Sequence, residues 1–351
     1  MSKFIKIASL CTIAIIFFAG NSEDAKKISI TEPKKISFEE IRQNSIVQDF
    51  QPTIISSIDT AVYAKNSLLS DDDKYIFVAD SRSGIQIIDN ETQKVISSFD
   101  TSGSALDMKI SLNAQYLYVA DAEAGLLVLD ISDIKKPTLI SSLQTDGEAK
   151  KIVLSKNRKY AFIADFNGGL QIINIQAPYF PIKLSKIKTA NYVEDVILSD
   201  DNSLAFIADG ALGIKVIDID DLKNPKIISS FDTEDYAVGL TLNDDNKLFV
   251  ADNKAGVAVL DIDDLEEIYL FSSIKTKDLA VGVTLSQDQQ KLYISDYSEG
   301  VKIYDLTSYK QISSIKTKSY AQNVMLSKLN KNIYISDGWS GILIASATIG
   351  N

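Results

Sequence analysis

The chain has 351 residues and no histidine, and its 36 basic and 47 acidic residues give a net charge of −11. A nucleic-acid groove needs clustered positive charge, so this balance disfavours nucleic acid as a partner. The lack of histidine excludes Ser-His-Asp hydrolysis, histidine acid-base catalysis and metal or haem sites with imidazole ligands. Carboxylate chemistry and oxygen-ligated calcium or magnesium remain open.

The N-terminus has the features of a secretory leader. Lys3 and Lys6 precede an apolar stretch over residues 7–19, and Gly20-Asn21-Ser22 supplies a small-x-small cleavage pattern. The stretch is too short to span a bilayer comfortably. Residues 1–22 are therefore predicted to be a signal peptide. We expect an exported protein, periplasmic or at the cell surface, with no transmembrane span in the mature chain.

Residues 23–50 lie outside any repeat. They are predicted to form a spacer rather than a docking element, because short polar termini are usually poorly ordered unless tied down. A capping-box pattern from Ser37 to Glu40 predicts one short helix within them.

From residue 51 onward one unit is repeated seven times. Each copy is a β-rich run that ends in Ala-Asp or Ser-Asp, with a glycine four residues later and then an apolar run. The aspartates are Asp80, Asp121, Asp165, Asp209, Asp252, Asp296 and Asp337, and the glycines are Gly84, Gly125, Gly169, Gly213, Gly256, Gly300 and Gly341. Successive aspartates stand 41 to 44 residues apart, which is the period of a four-stranded propeller blade. The sequence predicts an all-β, seven-bladed β-propeller of antiparallel blades over residues 51–347, with a tail at 348–351.

Four β-prone segments can be aligned in each repeat. The first is a small residue and an apolar run, such as Ala237–Asn243, and a polar turn separates it from the second, such as Tyr75–Asp80. The third is nearly unbroken in its apolarity, such as Leu126–Asp130, which is typical of a strand covered on both faces. The fourth is rich in serine and ends in threonine, as in Ile96–Thr101, Ile140–Thr145, Leu184–Thr189, Ile228–Thr233, Phe271–Thr276 and Ile312–Thr317.

One copy of the fourth segment stands at the front of the chain, where Ile55–Thr60 precedes the first repeat. Residues 51–60 are therefore predicted to be the outer strand of the last blade. The N-terminal strand would close the ring and remove two exposed sheet edges.

An identical aspartate in every repeat indicates a structural role rather than a ring of metal ligands. The carboxylates are predicted to accept backbone N–H bonds in the turn between the second and third strands, and the glycines to supply the backbone freedom of that turn.

The apolar third segments Gly125–Asp130, Gly213–Asp218 and Gly256–Asp261 resemble the LVIVD repeat of exported and surface propellers of bacteria and archaea. The resemblance covers all seven units and implies the propeller fold, while implying little about activity. Asn174 and Ser346 depart from it, since they stand where the other repeats have the strand-end aspartate.

Aromatic residues that differ between repeats mark one face of the predicted disc. Two sets of connections open on that face, and they carry Tyr63, Tyr192, Tyr236 and Tyr320 in one set and Phe166, Tyr297 and Trp339 in the other. Aromatic side chains with polar tips are common anchors of recognition surfaces, so these seven are the candidate partner-binding residues. The alternative is that they cover the seams between blades.

The preferred functional hypothesis is a non-catalytic, rigid module that binds a protein or peptide, or serves as a scaffold, with no catalytic residues and no cofactor. The first alternative is a carboxylate- or calcium-dependent hydrolase, lactonase-like, in the central funnel. Its candidate cation ligands are Asp107 and Asp195, with Asn323 as a third inward group. The second alternative is a structural component of a surface layer.

Overall fold

A computed structural model describes residues 50–328 and 331–347. In these residues the chain forms strands and connections without a helix, and the strands build seven four-stranded antiparallel sheets. The predicted leader at 1–22, the spacer up to residue 49 with its short helix, and the tail at 348–351 lie outside the described residues. No helix in the described part of the chain is long and apolar enough to cross a membrane.

The sheets follow one another along the chain as blades 1 to 7. The strands of the first three blades, preceded by the closing strand, are β1 (Ile54–Ile58), β2 (Asn66–Leu69), β3 (Tyr75–Ala79), β4 (Ile85–Asp89), β5 (Lys94–Phe99), β6 (Asp107–Ile110), β7 (Tyr116–Ala120), β8 (Leu126–Asp130), β9 (Thr138–Leu143), β10 (Lys151–Leu154), β11 (Tyr160–Ala164), β12 (Leu170–Asn174) and β13 (Ile182–Ile187). Those of blades 4 to 7 are β14 (Asp195–Leu198), β15 (Leu204–Ala208), β16 (Ile214–Asp218), β17 (Lys226–Phe231), β18 (Gly239–Leu242), β19 (Lys247–Ala251), β20 (Val257–Asp261), β21 (Tyr269–Ile274), β22 (Gly282–Leu285), β23 (Lys291–Ser295), β24 (Val301–Asp305), β25 (Lys310–Ile315), β26 (Asn323–Leu326), β27 (Asn332–Ser336) and β28 (Ile342–Ser346).

The first strand of each blade contacts the first strands of both neighbouring blades, and β26 contacts β2, so these seven strands surround a central channel. The second and third strands are buried on both faces because adjacent blades cover them. Phe77 and Ile87, for example, are paired across β3 and β4 and pack on Met108 and Leu117 of the next blade. The core is therefore a series of apolar layers between blades, and the predicted seven-bladed propeller is confirmed.

The ring closes as predicted, because β1 pairs with β28 in the sheet of β26 and β27. Ile58 lies opposite Ile342 and is buried with it. Gly341 is needed at this seam, since its φ is +72° and a Cβ there would stand 2.2 Å from the Ile58 carbonyl oxygen. Phe50 is the last residue of the predicted spacer, and its side chain is buried against blades 6 and 7.

The predicted bounds of the outer strands were wrong by two residues. The outer strand of blade 1 is Lys94–Phe99 rather than Ile96–Thr101, and the same offset recurs in blades 2 to 6. The threonine lies in the connection beyond the strand, and in Thr60 and Thr233 its hydroxyl donates to a repeated aspartate. The first strand of blade 5 begins at Gly239 rather than Ala237, since Ala237 pairs with Gly210 in an isolated bridge between blades.

Candidate functional site

Most of the repeated aspartates accept hydrogen bonds from the connection that leads into the innermost strand of their own blade. Asp80 accepts hydrogen bonds from the Thr60 hydroxyl (2.8 Å) and the Val62 N–H (2.9 Å). Asp337 accepts the N–H groups of Lys318 and Ser319. The expected acceptor role within the turn itself was wrong, because the turn after Asp80 is closed by backbone bonds such as that from the Asp80 N–H to the Gly84 carbonyl.

These carboxylates are buried, and burial raises the pKa of all seven, opposed by the hydrogen bonds they accept. Asp209 differs from the others. Neither of its carboxylate oxygens has a well-formed hydrogen bond. The Thr189 hydroxyl lies close to Asp209 but donates to the Asn191 carbonyl instead. The Asp-Gly unit thus shapes the surface on which the variable residues stand.

The variable aromatic residues pair across the seams between blades. The Phe166 and Tyr192 rings stack at 4.2 Å between blades 3 and 4, and the Tyr297 and Tyr320 rings stack at 4.3 Å between blades 6 and 7. Tyr236 covers Gly210, where a Cβ would lie 2.8 Å from the tyrosine ring. Its hydroxyl donates to Glu194 at 3.0 Å, and its pKa is raised by burial and by that carboxylate.

Four of these residues form a continuous surface over blades 6, 7 and 1, here called the aromatic patch: Tyr63, Tyr297, Tyr320 and Trp339. Tyr63 meets Trp339 edge to face at 5.0 Å. Burial raises the pKa of Tyr63, and the nearby Tyr297 and Tyr320 hydroxyls add to the shift. Trp339 is 65% exposed, so it presents most of its ring to solvent. Phe166, Tyr192 and Tyr236 cover seams between blades, although Tyr192 is also 44% exposed. The patch differs in joining four rings over three blades, with Trp339 as its most exposed member.

Below the patch, the first residues of the seven innermost strands form a ring in the channel, here called the channel ring: Asn66, Asp107, Lys151, Asp195, Gly239, Gly282 and Asn323. Its side chains bond from blade to blade. Asn323 donates to Asn66, and Asn66 donates to Asp107, both at 2.5 Å. Asp107 also accepts the Ile152 N–H of the next blade at 3.0 Å.

Asp107 and Asp195 were the candidate cation ligands, and Lys151 stands between them in the channel ring. Its ammonium lies 3.9 Å from Asp107 Oδ2. Burial favours loss of the Lys151 proton, but Asp107 and Asp195 outweigh burial and raise its pKa. Asp195 also accepts the Leu240 N–H at 2.8 Å. A cation at this position would have to displace the ammonium. Within the described residues no group of three acidic or cysteine side chains is placed to hold a metal ion.

The channel opens into a cavity of about 750 Å³ on the side of Gly239 and Gly282, where the channel ring has no side chains. The residues just before the innermost strands line its mouth, and their type varies among the blades: Lys65, Leu106, Lys150, Glu194, Val238, Val281 and Gln322. Lys65 donates to the Gln322 amide oxygen at 2.7 Å. Lys65 and Lys150 were not predicted as site residues from the sequence. The signal that could have found them is that this position varies from repeat to repeat.

These features define the class of protein as a seven-bladed β-propeller with a polar channel and an aromatic patch at one channel mouth. The family model for the LVIVD repeat matches residues 102–145, 146–189 and 191–233, which are blades 2, 3 and 4. The chain thus contains three LVIVD repeats, a repeat associated with β-propeller proteins. No curated protein matches the chain.

Proposed function

We propose that this propeller is a non-catalytic binding module that holds a protein or peptide partner on the aromatic patch. The observation that supports the proposal is the exposure of Trp339 beside three further aromatic rings at the channel mouth. Exposed aromatic clusters with polar tips are typical of binding hot spots.

The rigidity of the surface favours this role. Tyr297 and Tyr320 are stacked, and the connections that carry Tyr63 and Tyr320 are fastened by Asp80 and Asp337. A surface that is ordered before binding loses little conformational entropy when a partner docks.

We also propose that the protein acts outside the cytoplasm, in the periplasm or at the cell surface. This proposal rests on the leader-like pattern of residues 1–22.

The test uses Trp339, the one tryptophan of the chain, as the reporter. Peptides are selected from a random displayed library on the immobilised propeller, and affinity is measured by tryptophan emission and by calorimetry. Trp339→Ala and Tyr320→Ala, both measured by calorimetry, are expected to weaken binding at least about 10-fold, as hot-spot residues do.

The matched control is Phe180→Ala. Phe180 is 76% exposed but belongs to a connection on the opposite face of the disc. Its loss is expected to leave affinity unchanged. Selected peptides that bind equally well to both patch variants, or that lose affinity with Phe180→Ala instead, would contradict the proposal.

A further inference from the structure

Two carboxylates of the channel ring each accept a backbone N–H of the following blade. Asp107 of blade 2 accepts the N–H of Ile152, the second residue of the innermost strand of blade 3. Asp195 of blade 4 accepts the equivalent N–H of Leu240 in blade 5. The N–H at this strand position therefore points away from its own sheet partner and toward the side chains of the channel ring.

Val283 occupies that position in blade 6, and both places from which a side chain could reach its N–H are glycines. Gly239 stands where the preceding blade would supply the acceptor, and Gly282 directly precedes Val283. In blade 4 the residue before Val196 is Asp195, and its carboxylate accepts the Val196 N–H. In the described chain, no side chain accepts the Val283 N–H.

Neither the backbone conformation nor close packing requires a glycine at position 239. Its φ is not in the left-handed region, and the nearest atoms to an added Cβ are at 3.4 Å, an ordinary contact distance. Gly282 is tighter, since a Cβ there would lie 3.0 Å from the Gln322 carbonyl oxygen. Gly239 therefore leaves free space in the channel rather than solving a packing problem.

A lysine that belongs to no ion pair in the described part of the chain, Lys65, lines the same cavity. Lys109 and Lys151 pair with Asp107, and Lys150 pairs with Glu148. Among the ion pairs of the described residues none includes Lys65. Its ammonium reaches Gln322 of blade 7, beside the open side of the channel ring.

The surroundings of Lys65 disfavour its charge. Although the side chain reaches the water of the channel, the blades around it desolvate the ammonium and lower its pKa to about 8. Glu194 opposes this shift, and Lys151 and Lys150 add to it. A bound anion would supply the direct ion pair that Lys65 lacks.

We propose that the open side of the channel ring binds a carboxylate group, which takes the place of the side chains missing at Gly239 and Gly282. The ligand oxygens accept the Val283 N–H, as Asp107 and Asp195 accept theirs, and pair with the Lys65 ammonium. The carboxylate is that of a small organic acid or of a peptide C-terminus, which share this chemistry. The site does not depend on the aromatic patch.

The test follows backbone amide signals by nuclear magnetic resonance during titration with sodium acetate, with sodium chloride at equal ionic strength as the reference. The Val283 amide is expected to move downfield with acetate, while the amides of Ile152 and Leu240 stay in place because protein carboxylates already hold them. A second arm compares an N-acetylated tripeptide as free acid and as amide. Tighter binding of the free acid than of acetate, by at least about 10-fold, identifies a peptide terminus as the ligand, and equal binding identifies a small acid.

Two variant pairs make the test specific. Gly239→Asp supplies an internal carboxylate and is expected to abolish the acetate response, with the Val283 amide already downfield, whereas Gly239→Ala retains the response. Lys65→Gln is expected to weaken binding, Lys65→Arg to preserve it, and binding to the unaltered protein to fall as the pH rises through about 8. A Val283 amide that responds to neither acetate nor peptide acid, or equal behaviour of the two Gly239 variants, would overturn the proposal.

Discussion

Ring closure by β1 makes a quantitative prediction at Ile58. This side chain is 6% exposed and packs with Tyr334, Ile342 and Ile344 in the layer between blades 7 and 1. Truncating a buried isoleucine to alanine costs about 2–5 kcal/mol through lost transfer free energy and the cavity left behind. Because Ile58 lies in the outermost strand of its blade, a cost in the lower part of that range, about 2–3 kcal/mol, is expected for Ile58→Ala.

Ile54 is the matched control in the same strand. It is 53% exposed, so Ile54→Ala is expected to change the free energy of unfolding by less than about 0.5 kcal/mol. Both values are measured by urea unfolding followed by circular dichroism, with the slope of the transition checked for two-state behaviour. Equal effects of the two substitutions would refute the closure of the ring by this strand.

Two further predictions concern the turn aspartates. Asp337→Asn places an amide group against the N–H groups of Lys318 and Ser319 and is expected to lower the unfolding free energy by about 1–3 kcal/mol. Asp209→Asn removes a buried charge that has no good hydrogen bond and only a 4.0 Å contact with the Lys215 ammonium, so it is expected to cost less, at most about 1 kcal/mol. A larger loss for Asp209→Asn in the same urea assay would contradict this ranking. Burial raises the folded-state pKa of these carboxyls above the unfolded value, so the folded chain binds more protons between the two values and their contribution to stability increases as the pH falls through that window. Urea midpoints measured from about pH 7 down to about pH 4, near the unfolded value of an aspartate, are therefore expected to gain less from acidification in Asp209→Asn than in the unaltered chain. An equal pH dependence would argue against a raised pKa at this residue.

The sequence predicted the fold well because propeller blades are local units. The 41- to 44-residue period, the apolar third strands and the polar turns each depend on neighbours within one repeat. Even the closing strand could be located, because the Ser-rich segment Ile55–Thr60 is a copy of a pattern seen six times elsewhere. The two-residue error in the outer strands arose because the threonine that ends the pattern lies in the connection after the strand, where the hydroxyls of Thr60 and Thr233, for example, donate to an aspartate.

The candidate site was predicted only in part, because its contacts join different blades. The sequence marked the variable aromatic residues, but the stacking of Phe166 on Tyr192 depends on packing across a seam. It also marked Asp107 and Asp195 as convergent groups, whereas the structure places the Lys151 ammonium between them. The ion pair between Asp107 and Lys151 joins residues 44 positions apart in different repeats, so the pattern within one repeat does not indicate it.

The most direct test of a binding role for the aromatic patch is hydrogen–deuterium exchange of the propeller with and without a selected peptide. Protection is expected in residues 60–65, 318–322 and 338–340, which carry or adjoin Tyr63, Tyr320 and Trp339. Protection confined to residues 132–137 and 176–181, the connections on the opposite face, would contradict it.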